Sequence, residues 1–150
     1  MIGLDVGDRR IGVAAADGLG LTAQGLPTIE RRGLGEDVDS LLRIIDERNA
    51  STLVVGYPLN MDGSAGAQAD KVRGFIENLL EGMKAKGSPL PEVVYWDERL
   101  TTVAANRTLL EANLSRKKRK RAVDKLSAVL ILQNYLDRLS RTASGIPDGY

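Results

Sequence analysis

The run Thr52-Leu53-Val54-Val55 is apolar without alternating with polar residues. A short strand of that kind is covered on both faces, which calls for helices above and below a sheet. The segments around it supply such a sheet. Ile2 to Val6 alternates, with Ile2, Leu4 and Val6 on one face and Gly3, Asp5 and Gly7 on the other. Gly7-Asp8-Arg9-Arg10 reads as a turn, and Ile11 to Ala16 as a second strand with Gly12, Ala14 and Ala16 on its small face. Asp17-Gly18-Leu19-Gly20 is a hairpin signal, leading into a third strand over Leu21 to Thr28 that ends near Pro27.

Helical spacing begins after Gly33 and Gly35. Val38, Leu41, Leu42 and Ile45 form a stripe through about Arg48, with Glu36 and Asp37 suited to a helix start. A second helix is expected from Ala67 to Glu81, with Val72, Phe75, Ile76 and Leu79 buried. Val93-Val94-Tyr95-Trp96 is the last strand. Helices are expected over Thr101 to about Leu114 and over Asp124 to Arg138, separated by the basic run. The last of these is apolar almost all round and should be substantially buried.

Tight turns make the first three strands antiparallel, and the helical crossovers make the later ones parallel to their neighbours. The expected fold is α/β: a mixed five-stranded sheet, three antiparallel strands then parallel ones, with helices on both faces. Residues 1–140 form one domain and 141–150 a flexible C-terminal tail. In such sheets, functional groups collect at the carboxyl ends of the parallel strands. Here those ends carry the residues after Asp5, Gly56-Tyr57, and Asp97-Glu98.

Composition narrows the chemistry. The chain has neither cysteine nor histidine. No disulfide framework, ordinary zinc site, cysteine nucleophile or serine–histidine triad can be built. Carboxylates, lysines, hydroxyls or a hard metal held by oxygen remain. The net charge is only +1, but 6 of the 21 Lys and Arg residues are consecutive, Arg116 to Arg121. No apolar run approaches the ~18 residues that span a bilayer, and the start at Met1-Ile2-Gly3-Leu4 has no signal-peptide character. A cytoplasmic protein without a membrane partner is expected.

The candidates each have two readings. Asp5 is either a metal ligand on a face kept clear by glycines or a turn former at the Gly7 bend. Asp97 and Glu98 close a buried strand, and alternation sends them to opposite faces, so only one can join Asp5. Asp124 is either a helix N-cap or a carboxylate beside the small residues Ser127 and Ala128. The basic run is either a solvated loop or a holder of a polyanion near a metal. The Asn60–Gly66 loop lacks the Lys-Ser/Thr ending of a nucleotide P-loop, yet its amides could meet a phosphate backbone.

Four blocks together resemble the bacterial YqgF family, also called RuvX. They are Gly3-Leu4-Asp5-Val6-Gly7 with Arg10-Ile11-Gly12-Val13-Ala14; Val55-Gly56-Tyr57-Pro58-Leu59-Asn60-Met61-Asp62-Gly63; Asp97-Glu98-Arg99-Leu100-Thr101-Thr102; and Val123-Asp124 with Ser127-Ala128-Val129-Leu130-Ile131-Leu132. Tyr57 stands where that family commonly has an aliphatic residue. The resemblance implies an RNase H-like fold and a metal-dependent endonuclease. It places the acidic set on Asp5, Glu98 and Asp124, holding Mg²⁺ or Mn²⁺, with Asp97 pointing away. It further implies 5′-end processing of pre-16S rRNA, with four-way DNA junctions as the alternative substrate, by a monomer or homodimer. Arg10, Asn60, Arg99, Lys117, Lys118, Arg119 and Lys120 are the expected nucleic-acid contacts. Against this stand a non-catalytic nucleic-acid-binding or transcription factor, and an actin-like kinase, for which 150 residues are too few.

Overall fold

The computed structural model describes residues 1–100 and 116–143, with side chains over 1–99 and 126–142. Five strands, β1 (Ile2–Val6), β2 (Arg10–Ala16), β3 (Ala23–Glu30), β4 (Thr52–Tyr57) and β5 (Glu92–Asp97), form one sheet in the order β3-β2-β1-β4-β5. β1 pairs antiparallel with β2 and parallel with β4, while β2–β3 is antiparallel and β4–β5 parallel. This is the mixed sheet that the spacing of turns and helices implies. Helices α1 (Leu34–Arg48) and α2 (Ala67–Ala85) lie on one face and α3 (Arg116–Ala143) on the other. A 3-10 turn, Glu98–Leu100, follows β5 directly.

The two faces of β1 explain the layering. Ile2, Leu4 and Val6 join Ile11, Val13, Leu53, Val55 and the apolar stripes of α1 and α2 in the larger core. On the opposite face Ala14, Val54 and Trp96 meet Ala128, Ile131, Leu132 and Leu136 of α3. The small residues there admit the helix closely. A Cβ built on Gly3 would lie 2.7 Å from Leu132 Cβ and 3.0 Å from the Ala128 carbonyl oxygen. Part of the space expected above Asp5 is therefore occupied by α3. These neighbours are a Cβ and a backbone atom and cannot swing away, so Gly3→Ala should destabilise by ~1–3 kcal/mol, measured by urea unfolding.

Three expectations change. β3 continues through Pro27 to Glu30. The register slips between Ile11↔Ile29 and Val13↔Leu26, so Pro27 and Thr28 together oppose Gly12 on an outer strand of the sheet. A bulge on an edge strand is where a residue without an N–H is tolerated. The basic run does not stand outside the last helix but forms its first turns, because Arg116–Ala143 is one helix. Arg, Lys and Ala are good helix formers and no Gly or Pro stands there, so Asp124 lies inside the helix and is not its N-cap. The helix also reaches Ala143, three residues into the expected tail, and leaves Leu126, Val129, Leu130 and Tyr135 only partly buried and Leu139 exposed. The helix expected over Thr101 to about Leu114 lies outside the described residues.

One buried ion pair was not legible as such. Asp37, in the first turn of α1, is 2 % exposed. It accepts hydrogen bonds from Arg31 Nε (3.0 Å) and from the backbone N–H of Arg32 (3.0 Å). Arg31 Nη1 also donates to the Gly7 carbonyl at 2.8 Å, and its guanidinium lies over the Phe75 ring. Asp37 does more than complement the helix dipole: through Arg31 it anchors the turn that follows β1.

Candidate metal centre and nucleic-acid face

The site is built on the carboxyl ends of β1, β4 and β5. Asp5 is the fourth residue of β1 and half-buried. Its cross-strand partner in β2 is Gly12. The β1–β4 register, Gly3↔Val54 and Leu4↔Val55, brings Gly56 one step on, beside Asp5 from the other side. Asp5 thus sits between two positions without side chains.

Glu98 enters from β5. A Cβ on Gly56 would fall 2.7 Å from Glu98 Oε1 and 2.6 Å from Ile131 Cδ1. The Glu98 carboxylate therefore lies over Gly56, in the place where any other residue would put its side chain. Adjacent strands are ~4.8 Å apart, so Asp5 and Glu98 share one end and one face of the sheet. Alternation alone left open which of Asp97 and Glu98 would turn toward Asp5. The 3-10 turn that begins at Glu98 carries it over the β4 glycine.

Asp97 closes β5 and is engaged elsewhere. Its carboxylate accepts from Arg99 Nε (3.0 and 3.1 Å to the two oxygens), Arg99 Nη2 (2.7 Å) and the Arg99 backbone N–H (3.0 Å). These hydrogen bonds to the ionised form hold its carboxyl below the usual carboxylate range. Arg99 Nη1 donates to the Asn60 and Met61 carbonyls at 3.4 and 3.3 Å. The guanidinium thus joins the strand end to the loop between β4 and α2.

That loop is closed on itself. The Asn60 N–H donates to the Ser64 carbonyl (2.9 Å), Asn60 Nδ2 to Ser64 Oγ (3.1 Å), and the Ser64 hydroxyl and N–H to Asp62 Oδ1 (2.6 and 2.9 Å). The Ser64 hydrogen bonds lower the Asp62 pKa. Arg10, first residue of β2, pairs with Glu30 at 3.0 Å. Lys117, Lys118, Arg119 and Lys120 occupy the first turns of α3, which carry no acidic residue, and their side chains lie outside the described residues. So does the Asp124 side chain; its backbone is in α3, one turn before Ala128. Among the described residues no group of three acidic, His or Cys side chains forms a metal site, and Asp5 and Glu98 are the two candidates that the described structure brings together.

Gly56-Tyr57 was expected at this edge of the sheet, but not the seat that Gly56 leaves for the Glu98 carboxylate. Its signal was available only as a strand-end glycine, because its placement beside Asp5 depends on the β1–β4 register.

Comparison with known proteins agrees with this architecture. A protein of Clostridium novyi (strain NT) named "Putative pre-16S rRNA nuclease" is 51% identical over 139 residues, covering 93% of this chain and 98% of the relative. A Clostridium kluyveri protein of the same name is 49% identical over 141 residues, covering 94% and 98%. Among solved structures, Thermus thermophilus RuvC in complex with a Holliday junction substrate superposes with a TM-score of 0.53 at 15% identity, covering 93% of this chain and 96% of RuvC. A second structure of Thermus thermophilus RuvC gives 0.50 at 16% identity, covering 93% and 97%. That likeness establishes the RNase H-like fold. The family model described as "RuvX: Holliday junction resolvase" matches residues 1–138, and the chain belongs to the RuvX family.

Proposed function

We propose that this protein is a metal-dependent endonuclease that hydrolyses phosphodiester bonds in structured RNA, acting on the 5′ end of pre-16S rRNA during ribosome biogenesis in the cytoplasm. The observation that carries this reading is the convergence of Asp5 and Glu98 over the glycines of neighbouring strands. Carboxylates brought together at the edge of a core are mutually repulsive, and a divalent cation relieves that cost. The donor set fits such an ion, since Mg²⁺ and Mn²⁺ take hard oxygen ligands. The Gly56 cradle leaves the room for Glu98 that a side chain would fill. Asp5 and Glu98 hold the metal, with Asp124 of α3 as the third carboxylate. When bound, such an ion supplies a nucleophilic water at neutral pH and charge stabilisation at the departing oxygen.

The chain's own residues orient the substrate. Lys117, Lys118, Arg119 and Lys120 place positive charge at the N-terminal end of α3, where the helix dipole is also positive. That concentration favours a polyanion, and it stands one to two turns before Asp124. Arg10 lies at the rim paired with Glu30, and Asn60 presents the β4–α2 loop to the backbone, while Arg99, the other expected contact, has its donors directed at Asp97 and the loop carbonyls. Replacing Lys117, Lys118 and Lys120 together by Ala should weaken RNA binding uniformly across sequences. It should also reduce the slope of log K against log salt by about 2–3, measured by filter binding from 50 to 200 mM salt.

The family description and the RuvC fold favour four-way DNA junctions as the second reading. A resolvase makes two symmetric cuts as a dimer. The two are separated by offering precursor rRNA and junction DNA to protein of measured oligomeric state. Cleavage of rRNA by monomer or dimer supports the first reading, and paired cuts in junction DNA by a dimer alone support the second.

A further inference from the structure

We infer that Asp97 and Arg99 are positioning residues that fix the Glu98 carboxylate by tying the turn that carries it to the β4–α2 loop. The inference rests on the nuclease reading of the Asp5–Glu98 site. Glu98 lies between the two in sequence, on a 3-10 turn of three residues. Such a turn has little stiffness of its own.

The pair supplies the stiffness. Asp97 is the last residue of β5 and is held in register against Tyr57 of β4. Its carboxylate receives three side-chain hydrogen bonds from Arg99, between 2.7 and 3.1 Å, and one from the Arg99 backbone N–H. A planar guanidinium taking both oxygens of a carboxylate is the most orientation-specific ion pair available. The backbone bond closes the chain around Glu98, from Asp97 to Arg99. The free end of the guanidinium then reaches the Asn60 and Met61 carbonyls. That loop is cross-linked on its own account, through its Asn60–Ser64 and Asp62–Ser64 bonds and the Leu59↔Ala65 bridge.

The charge arrangement points the same way. A carboxylate adjacent in sequence to Glu98 would repel it and compete for a cation. With Arg99 on both oxygens, Asp97 is neutralised and turned from that role. Arg99 in turn has its donors directed at Asp97 and at loop carbonyls, which is the pattern of a strut and not of a free phosphate contact.

The test uses the full-length protein with Asp97→Asn, Arg99→Ala and Arg99→Lys. Mn²⁺ affinity is measured by electron paramagnetic resonance without RNA, kcat and KM for precursor rRNA with it, and RNA binding in chelator separately. Loss of a group that orients a metal ligand typically lowers metal affinity or activity ~10–100-fold. Asp97→Asn and Arg99→Ala should each raise the Mn²⁺ Kd about tenfold or more and lower kcat, with KM and chelator-state RNA binding within about twofold. Arg99→Lys keeps the charge but loses the fork, so it should resemble Arg99→Ala. This variant reports even if Asp97→Asn does not fold, as read by circular dichroism. A role for Arg99 in phosphate contact would instead weaken RNA binding and be rescued by Lys. That outcome overturns the strut, as does wild-type Mn²⁺ affinity in Asp97→Asn. If the wild type neither binds Mn²⁺ nor cuts RNA, the nuclease reading falls and the strut with it; altered metal binding is readable whether or not RNA is the substrate.

Discussion

Replacing Asp5 by Asn should abolish RNA cleavage while the protein remains folded and bound to RNA. Changes one shell away from a metal typically cost ~10–100-fold, so loss of a ligand itself should exceed about a hundredfold in kcat. The fold should tolerate it. Asp5 is half-buried, Asn has nearly the same shape, and the flanking Gly12 and Gly56 put no side chain against it. Removing a negative charge beside Glu98 relieves repulsion, which offsets lost contacts. The melting temperature should stay within about 4 °C, corresponding to roughly 1 kcal/mol for a domain of this size. RNA affinity, set by the basic residues, should change less than about twofold. Single-turnover cleavage, calorimetry and filter binding check the three parts. A variant that cuts at the wild-type rate would remove Asp5 from the site.

Gly56→Ala makes a complementary test, because it alters no charged group. The new methyl would lie 2.7 Å from Glu98 Oε1 and 2.6 Å from Ile131 Cδ1. Both are far ends of flexible side chains, unlike the atoms above Gly3, so overpacking should cost near the low end of ~1–3 kcal/mol. The alanine also restricts the unfolded chain, which returns ~0.4–1 kcal/mol. Net destabilisation should therefore be small. Function should suffer more, since the Glu98 carboxylate must vacate its position and a misplacement of about 1 Å can cost ~10²-fold in rate. Expected is a protein of nearly wild-type urea midpoint with kcat reduced by about a hundredfold. Loss of stability without loss of turnover per folded molecule would mean that Glu98 acts from elsewhere or does not act. Gly3→Ala serves as the contrast, with the stability cost but an intact carboxylate pair.

The sheet was legible because its signals are local. Ile2, Leu4 and Val6 alternate with Gly3, Asp5 and Gly7, and the structure sends the first set to the α1–α2 core and sets Gly3 of the second against α3. The unalternating Thr52–Val55 run is buried throughout at the middle of the structure. Topology then follows from which strands are joined by turns and which by helices, and it brings Asp5, Gly56 and Glu98 to one end. What was not legible depends on contacts distant in sequence. Pro27 ends a strand by propensity, yet the slip opposite Gly12 lets β3 pass. The charges of the 116–121 run look like a loop, although repulsion between helical neighbours is worth only tenths of a kcal/mol and nothing else stops the helix. Asp97 looked like a bystander to Glu98; its grip on Arg99, and Arg99's reach to the Asn60 and Met61 carbonyls, depend on how the chain turns after β5. Asp37 likewise suited a helix start, and only the fold reveals it buried against Arg31.

Under the proposed function, carboxylates at the ends of β1 and β5, with Asp124, hold a divalent metal that makes this chain an RNA endonuclease. Its most direct test is add-back on one substrate: purified protein stripped with chelator, incubated with precursor 16S rRNA, and supplied with nothing, Mg²⁺, Mn²⁺ or Ca²⁺. Cleavage should be absent in chelator, and discrete cleavage at the 5′ end should be restored by Mg²⁺ or Mn²⁺. Ca²⁺, with its larger and more flexible coordination, should support binding without comparable cutting. RNA that is bound with the expected salt dependence but left uncut with every metal would contradict it.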